Sequence, residues 1–379
     1  MEKPIHLSTP YVDSRVYDYI REVIDSGKLA GDGPMCKKVE KQISSLYGLN
    51  HVLLTTSCTH GLEMAMMILD LKPGDEVITP SFTFVSAANA IIRGGGKPVF
   101  CEINDQTLTM DVNDFEKRIT PRTKAIIVVH YAGVAAEMDE ITAVARKHNL
   151  IVVEDAAQGV GAKYRGKFLG GIGEIGAYSF HDTKNVVSGE GGAFVTANEA
   201  YARRAEIVRE KGTNRANFIR GEVDKYTWVD HGSSFIISDI LAAVLKFQFD
   251  IIGEIQGKRK YIYSLYNEGL KDLQRAEKIR LPVIPPHCES NYHIYYILLK
   301  SENERNRVMK ELRGYGINAT FHYIPLHSAP YAIKNLNTRD VKLPITDRIS
   351  GTLLRLPLHP GLKDEQVHYV IDKIHEVVK

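Results

Sequence analysis

Ile151-Val152-Val153-Glu154-Asp155-Ala156-Ala157-Gln158-Gly159 is the stretch from which the architecture is read. A short apolar run ending in an acidic pair and a small-residue turn reads as a buried strand. Asp155 then stands at its carboxyl end, where open α/β sheets gather ligands. Similar runs occupy His51–Thr55, Glu76–Thr79, Pro98–Ile103 and Ala125–His130. Segments with helical spacing separate them at Thr59–Leu71, Val85–Arg93, Asp111–Ile119 and Met138–His148, and Val16–Ile24 and Val39–Leu46 precede them. The alternation predicts βαβ units and a large, mostly parallel sheet, hence an α/β fold. Downstream, strands at Gly176–Phe180 and Ala193–Thr196 flank a glycine-rich loop, and helices follow at Ile236–Phe249 and Lys258–Leu273. After the proline-rich Leu281–Pro286 the order is strand His293–Leu299, helix Glu302–Tyr315, strand Ala319–Tyr323, a loop and two helices. The expected division is a large domain over 1–250 and a smaller α+β domain over 251–379.

Composition narrows the function. Of 379 residues, 44% are hydrophobic and 25% charged, which suits a globular chain with a core that needs no staples. Lys plus Arg number 48 against 46 for Asp plus Glu, a net charge of +2, so a general nucleic-acid binder is not expected. Cys36, Cys58, Cys101 and Cys288 are scattered and form no C-x-x-C pair, which suits a reducing compartment. The first fifteen residues hold no apolar run of signal-peptide length, and no stretch reaches the ~18 apolar residues of a membrane helix. The expectation is a cytoplasmic protein without a membrane partner.

Three motifs bear on chemistry. A carboxylate at the position of Asp155 can keep a heterocyclic nitrogen protonated, as an electron-sink cofactor such as pyridoxal phosphate requires; it can equally cap the next turn. Lys184, in Ser179-Phe180-His181-Asp182-Thr183-Lys184, precedes Ser188-Gly189-Glu190-Gly191-Gly192 and could form a Schiff base, though most lysines are solvated surface charges. Thr55-Thr56-Ser57-Cys58-Thr59 lies between a strand and a helix, where it forms an anion cradle or an ordinary N-cap. Gly171-Ile172-Gly173-Glu174-Ile175-Gly176 fits G-x-G-x-x-G but follows a polar turn and precedes a strand, so dinucleotide binding is rejected there. His130, His181, His322, His327 and His359 show no metal-ligand spacing, and no metal site is expected.

Taken together and in this order, these segments resemble the DegT/DnrJ/EryC1 family of sugar aminotransferases. The likeness runs from Gly27-Lys28-Leu29-Ala30-Gly31-Asp32-Gly33-Pro34 to Leu356-Pro357-Leu358. It implies the fold-type-I architecture of pyridoxal 5′-phosphate (PLP)-dependent transferases, as in aspartate aminotransferase. Lys184 would carry the Schiff base with the cofactor and move the proton. Asp155 would pair with the pyridinium nitrogen, Gln158 with the phenolic oxygen, and Phe84 would stack on the ring. Ser57, Cys58 and Ser179 would bind the phosphate. His322, Tyr323 and His327 would line the nucleotide-sugar side, with Lys28 and Arg215 as further candidates for the diphosphate, as against surface charges. One departure is Gly232-Ser233-Ser234-Phe235-Ile236, where many members read G-x-N-x-R, so either Ser234 replaces an asparagine that reaches the partner's cofactor phosphate or that contact is lost.

Val129-His130-Tyr131-Ala132-Gly133-Val134, Glu210-Lys211-Gly212-Thr213-Asn214-Arg215 and Val223-Asp224-Lys225-Tyr226-Thr227-Trp228 resemble a subgroup acting on dTDP-linked 4-ketosugars. The implied reaction takes nitrogen from L-glutamate to C4 of dTDP-4-dehydro-6-deoxy-D-glucose, with ping-pong kinetics. It would run in a homodimer with active sites at the subunit interface. Action at sugar C3, or on a UDP-linked ketosugar, is the alternative within the family. A non-catalytic PLP-binding regulatory protein is the alternative of another class.

Overall fold

The computed structural model describes residues 4–378. Its centre is a seven-stranded sheet in the order His51–Thr55, Gly192–Thr196, Ile175–Ser179, Ile151–Asp155, Thr123–Val129, Glu76–Pro80, Lys97–Cys101. Gly192–Thr196 runs antiparallel to both neighbours, and the other pairings are parallel. The sheet is therefore mixed but mostly parallel, as in fold-type-I PLP enzymes. Alternate side chains leave a strand on opposite faces. Ile126, Val128 and Val152 accordingly enter one apolar cluster with Val39, Ile43 and Leu54, while Ile127 and Val153 enter another with Leu62, Met64 and Phe194.

The C-terminal part holds a two-stranded antiparallel sheet, Tyr295–Leu298 against Leu353–Leu356. The helices Ile252–Gly269, Glu302–Gly314 and Asp364–Val377 cover it, contributing Tyr266, Leu312 and Ile374 to one core. Ile5 joins that core, while Cys288 packs in the large sheet's cluster. We propose the division near residue 250 on this distribution of apolar contacts. No helix among the described residues is long and apolar enough to cross a membrane.

Two expectations fail in the C-terminal part. Ala319–Tyr323 is not a strand. Only Thr320 bridges, to Arg355, and the Tyr323 carbonyl is taken by Ser350 Oγ at 2.6 Å instead of a ladder partner. The true partner strand, Leu353–Leu356, was not expected, because a charged residue interrupts its apolar run and Pro357 follows at once.

The acidic pair of the Ile151–Asp155 strand divides between the sheet's faces. Glu154 turns inward and is fully buried. Its carboxylate faces His130 Nε2 at 2.8 Å and accepts from the N–H groups of Gly170, Ile172 and Gly173 at 2.7, 2.6 and 2.6 Å. Burial alone would push this carboxyl up, but His130 and the amides outweigh it and hold it below the usual range. The glycines of the G-x-G-x-x-G match thus wrap an internal carboxylate. Removing one partner of a buried pair strands the others. Glu154→Ala is therefore expected to cost about 3–5 kcal/mol of stability, and Glu154→Gln less, read as shifts in the urea midpoint.

Candidate active site

Asp155 leaves the strand on the face opposite Glu154. Its Oδ1 accepts from Ala157 N–H at 3.1 Å and faces Cys58 Sγ at 3.8 Å, while Oδ2 has no partner among the described residues. Burial pushes the carboxyl up, against the pull of Ala157 N–H and of Lys184. Lys184 follows the end of the neighbouring Ile175–Ser179 strand, and its backbone N–H donates to His181 O at 2.8 Å. Burial pushes its amine below the usual lysine range, helped by Arg355 and opposed by Cys58 and Asp155. Asn185, the next residue, is tied to the C-terminal part: Nδ2 donates to Asn291 O at 2.8 Å, and Oδ1 accepts from His293 Nδ1 at 2.9 Å.

Beside this pair lies a cradle. Ser57 caps the helix Cys58–Ile68, with Oγ accepting from His60 N–H at 3.1 Å. The first amide to bond back along that helix is Gly61, to Ser57 O at 3.2 Å, so the Cys58 and Thr59 N–H groups have no partner among the described residues at the positive end of the helix. Register places Thr55, Gly192 and Ser179 side by side on three strands. A Cβ at Gly192 would collide with the Ser57 carbonyl carbon and the Cys58 nitrogen, so only glycine leaves this space open.

The opposite wall comes from 131–133 and 322–323. Gln158 Oε1 accepts from Ala132 N–H at 2.7 Å, and Nε2 donates to Tyr323 OH at 2.9 Å. Ala132 has φ 58°, a strained value for a residue with a Cβ. His322 stacks on Tyr323 with ring centres 3.5 Å apart, and its Nδ1 lies 2.9 Å from Tyr131 OH. Phe82 is buried between Tyr131 and Tyr323, at 5.1 and 5.7 Å between ring centres. Phe84 is 58% exposed, its ring 6.3 Å from that of Tyr323.

Compared with known proteins, the chain matches the DegT/DnrJ/EryC1/StrS aminotransferase family over residues 10–375. It belongs to that family. GDP-perosamine synthase of Caulobacter vibrioides is 31% identical over 381 residues, covering 99% of this chain and 98% of that one. A dTDP-4-dehydro-2,3,6-trideoxy-D-glucose 4-aminotransferase of Saccharopolyspora spinosa is 31% identical over 382 residues, covering 99% and 97%. Spr1654 of Streptococcus pneumoniae, solved in a PLP form, superposes with TM-score 0.91 at 27% identity, covering 99% and 98%. This protein is a PLP-dependent sugar aminotransferase.

In the aminotransferase Asp155, Lys184, Cys58, Gln158, His322 and Tyr323 lie close together, with Ser57 and Ser179 at the cradle. Ser234 is exposed, one residue before Phe235, whose carbonyl accepts Thr56 N–H at 2.9 Å. His327 is buried and tied to the large sheet: its Nδ1 lies 2.8 Å from Ser81 Oγ, and its own N–H donates to that oxygen at 3.0 Å. Lys28 is exposed, and among the described residues Arg215 reaches only Glu210, at 3.9 Å. Asp32 belongs to an internal ion-pair network with Arg209 at 2.7 Å and Lys37 at 2.5 Å.

Tyr131, Asn185, His293 and Arg355 were not recognised as pocket residues from the sequence. Arg355 alone carried a signal, a charge inside Leu353-Leu354-Arg355-Leu356. Burial, then the charges of Arg355 and Lys184, push the His322 imidazole down to about 2. Both causes disfavour the imidazolium, so the ring stays neutral where a free histidine titrates. NMR of labelled histidine is expected to show no His322 transition between about pH 5 and 8.

Proposed function

We propose that this aminotransferase moves the amino group of L-glutamate to C4 of dTDP-4-dehydro-6-deoxy-D-glucose. The products are dTDP-4-amino-4,6-dideoxy-D-galactose and 2-oxoglutarate. The observation that carries a transaminase site is Lys184 beside Asp155, with an open anion cradle at the neighbouring strand ends. The dTDP and C4 features rest on the 129–134, 210–215 and 223–228 segments, supported by the name of the Saccharopolyspora relative. GDP in the name of the Caulobacter relative makes the nucleotide the first thing to test.

When bound, PLP supplies an electron sink for the carbon that gives up or accepts nitrogen. The free Oδ2 of Asp155 would hold the proton on its ring nitrogen. Ser57, Cys58 and Ser179 would hold its phosphate, and the bare Gly192 supports that fit. Gln158 would address the phenolic oxygen and Phe84 the ring face, while Lys28, Arg215, His322, Tyr323 and His327 are the proposed sugar-nucleotide side. Lys184, its amine weakened as an ammonium by burial, would take a proton from the donor's Cα and deliver one to the sugar carbon. We further propose a cytoplasmic homodimer in which Ser234 faces the partner's cofactor. Exposed Phe218, Ile219, Tyr226, Trp228 and Val229 support an apolar contact beside it.

The test is a product assay with PLP, glutamate and dTDP-, UDP- and GDP-linked 4-ketosugars, and NMR of any aminosugar. A 4-amino galacto product from the dTDP sugar is expected, with Lys184→Ala slower by at least ~10³-fold. Turnover of only a UDP or GDP sugar, or amination at C3, would replace the proposed substrate.

A further inference from the structure

A segment of the C-terminal part is built into the large domain beside the site. Cys288–Glu289 pairs with Lys163–Tyr164, and Ser290-Asn291-Tyr292-His293 follows before the strand Tyr295–Leu298 begins. Asn291 is buried. Its Nδ2 donates both hydrogens, to Gln158 O at 2.8 Å and to Val160 O at 2.9 Å. Its own carbonyl accepts from Asn185 Nδ2 at 2.8 Å. One residue thus holds the turn that carries Gln158 and the residue that follows Lys184.

The opposite wall of the pocket rests on the same side chain. Gly133 has φ 78°, and a Cβ there would overlap Asn291 Oδ1, so only glycine lets the 131–133 turn pack against it. That turn supplies the Ala132 N–H to Gln158 Oε1. Asn291 Oδ1 is itself buried with no hydrogen-bond partner among the described residues. Such an orphan acceptor is costly, and what the amide contributes in return is its pair of donors on a short side chain. The backbone of the segment is equally fixed. Tyr292 has φ 55°, which residues with a Cβ avoid, and Arg259 holds it through Nε to Tyr292 O at 3.0 Å and Nη2 to His293 O. His293 Nδ1 completes the ring by donating to Asn185 Oδ1 at 2.9 Å.

We propose that Asn291 is a positioning residue for transamination, holding Lys184 and Gln158 at one fixed separation. The inference rests on the transaminase reading of this pocket. On PLP, the carbonyl carbon that a lysine binds and the phenolic oxygen stand on adjacent ring positions. Lys184 and Gln158 must therefore keep one spacing, yet no hydrogen bond among the described residues joins them directly. Asn291 supplies the bridge, and it acts through these residues and not on the reacting atoms. Misplacement of a reacting group costs rate more than affinity. Both half-reactions use the same lysine and the same cofactor, so both depend on this spacing.

The test compares PLP-loaded wild type with Asn291→Ala, Asn291→Ser and Asn185→Ala at equal folded concentration. Maximal single-turnover rates with L-glutamate, and of the amine-loaded enzyme with the ketosugar, are expected to fall about 10- to 100-fold in Asn291→Ala. The concentrations giving half-maximal rate are expected to stay within about three-fold. Asn291→Ser, which keeps one donor, is expected to recover part of the rate. The visible absorption of bound PLP, followed against pH, is expected to shift its midpoint in Asn291→Ala. A lowered urea midpoint with wild-type rates and an unshifted absorption midpoint would overturn the proposal and leave Asn291 a structural residue. So would a loss confined to one half-reaction, which would mark it as a substrate ligand. Should Asn291→Ala fail to fold, Asn185→Ala, which removes the arm toward Lys184, decides on the same readouts. Wild-type enzyme that takes up no PLP would overturn the transaminase reading and this proposal together. If it exchanges with glutamate but accepts no 4-ketosugar, only the sugar assignment fails and the glutamate half-reaction judges Asn291.

Discussion

The alternation of side chains along Ile151–Asp155 is the constraint on which the site depends. Two acidic residues in succession must face opposite ways. One face gives Glu154 a closed set of donors from His130 and the 170–173 loop. The other gives Asp155 a pocket in which one oxygen stays free. Buried negative charge is tolerable at Glu154 because every lone pair has a donor, and it is costly at Asp155 until a cationic partner arrives. Stability on one face fixes the position of chemistry on the other.

A second constraint is the set of polar ties that hold residues of the C-terminal part against the large sheet and the segment that follows its edge strand. Ser81 meets His327, and Glu102 accepts from the N–H groups of Ile345 and Thr346 at 2.9 and 2.8 Å. Asp105 receives Arg280 and Arg348, both at 2.7 Å, and its carboxyl is held down to about 2 by those guanidiniums. Gln158 to Tyr323 closes the pocket itself. Side chains remote in sequence are thereby fixed beside Lys184, and preorganisation of this kind spares the reaction the work of assembling its surroundings.

Lys184 shows the same economy. Its loop follows a strand end, its neighbour Asn185 is pinned by Asn291 and His293, and burial pushes its amine below the usual lysine range. A lysine so placed can bind a carbonyl carbon covalently and exchange protons.

The order of the large sheet's strands and of the helices up to Thr196 was legible because each interior strand of a parallel sheet is a short apolar run and each crossover helix has its own period, whereas the helices Glu199–Arg209 and Arg215–Ile219 and the short strands Lys163–Tyr164 and Lys167–Phe168 were not expected. Asp155, Lys184 and the 55–59 cradle were legible as well, since strand ends and glycine-rich turns leave local marks. Ala319–Tyr323 was misread as a strand because β-forming composition does not say whether a partner edge exists. Leu353–Leu356 was missed because Arg355 broke its pattern. By itself, then, the sequence determined the sheet and the family and marked candidate residues on local elements. Which face each member of the acidic pair occupies, and which side chains remote in sequence surround Lys184, was decided only by tertiary packing. Those facts depend on neighbours up to about two hundred residues away, and local periodicity carries no record of them.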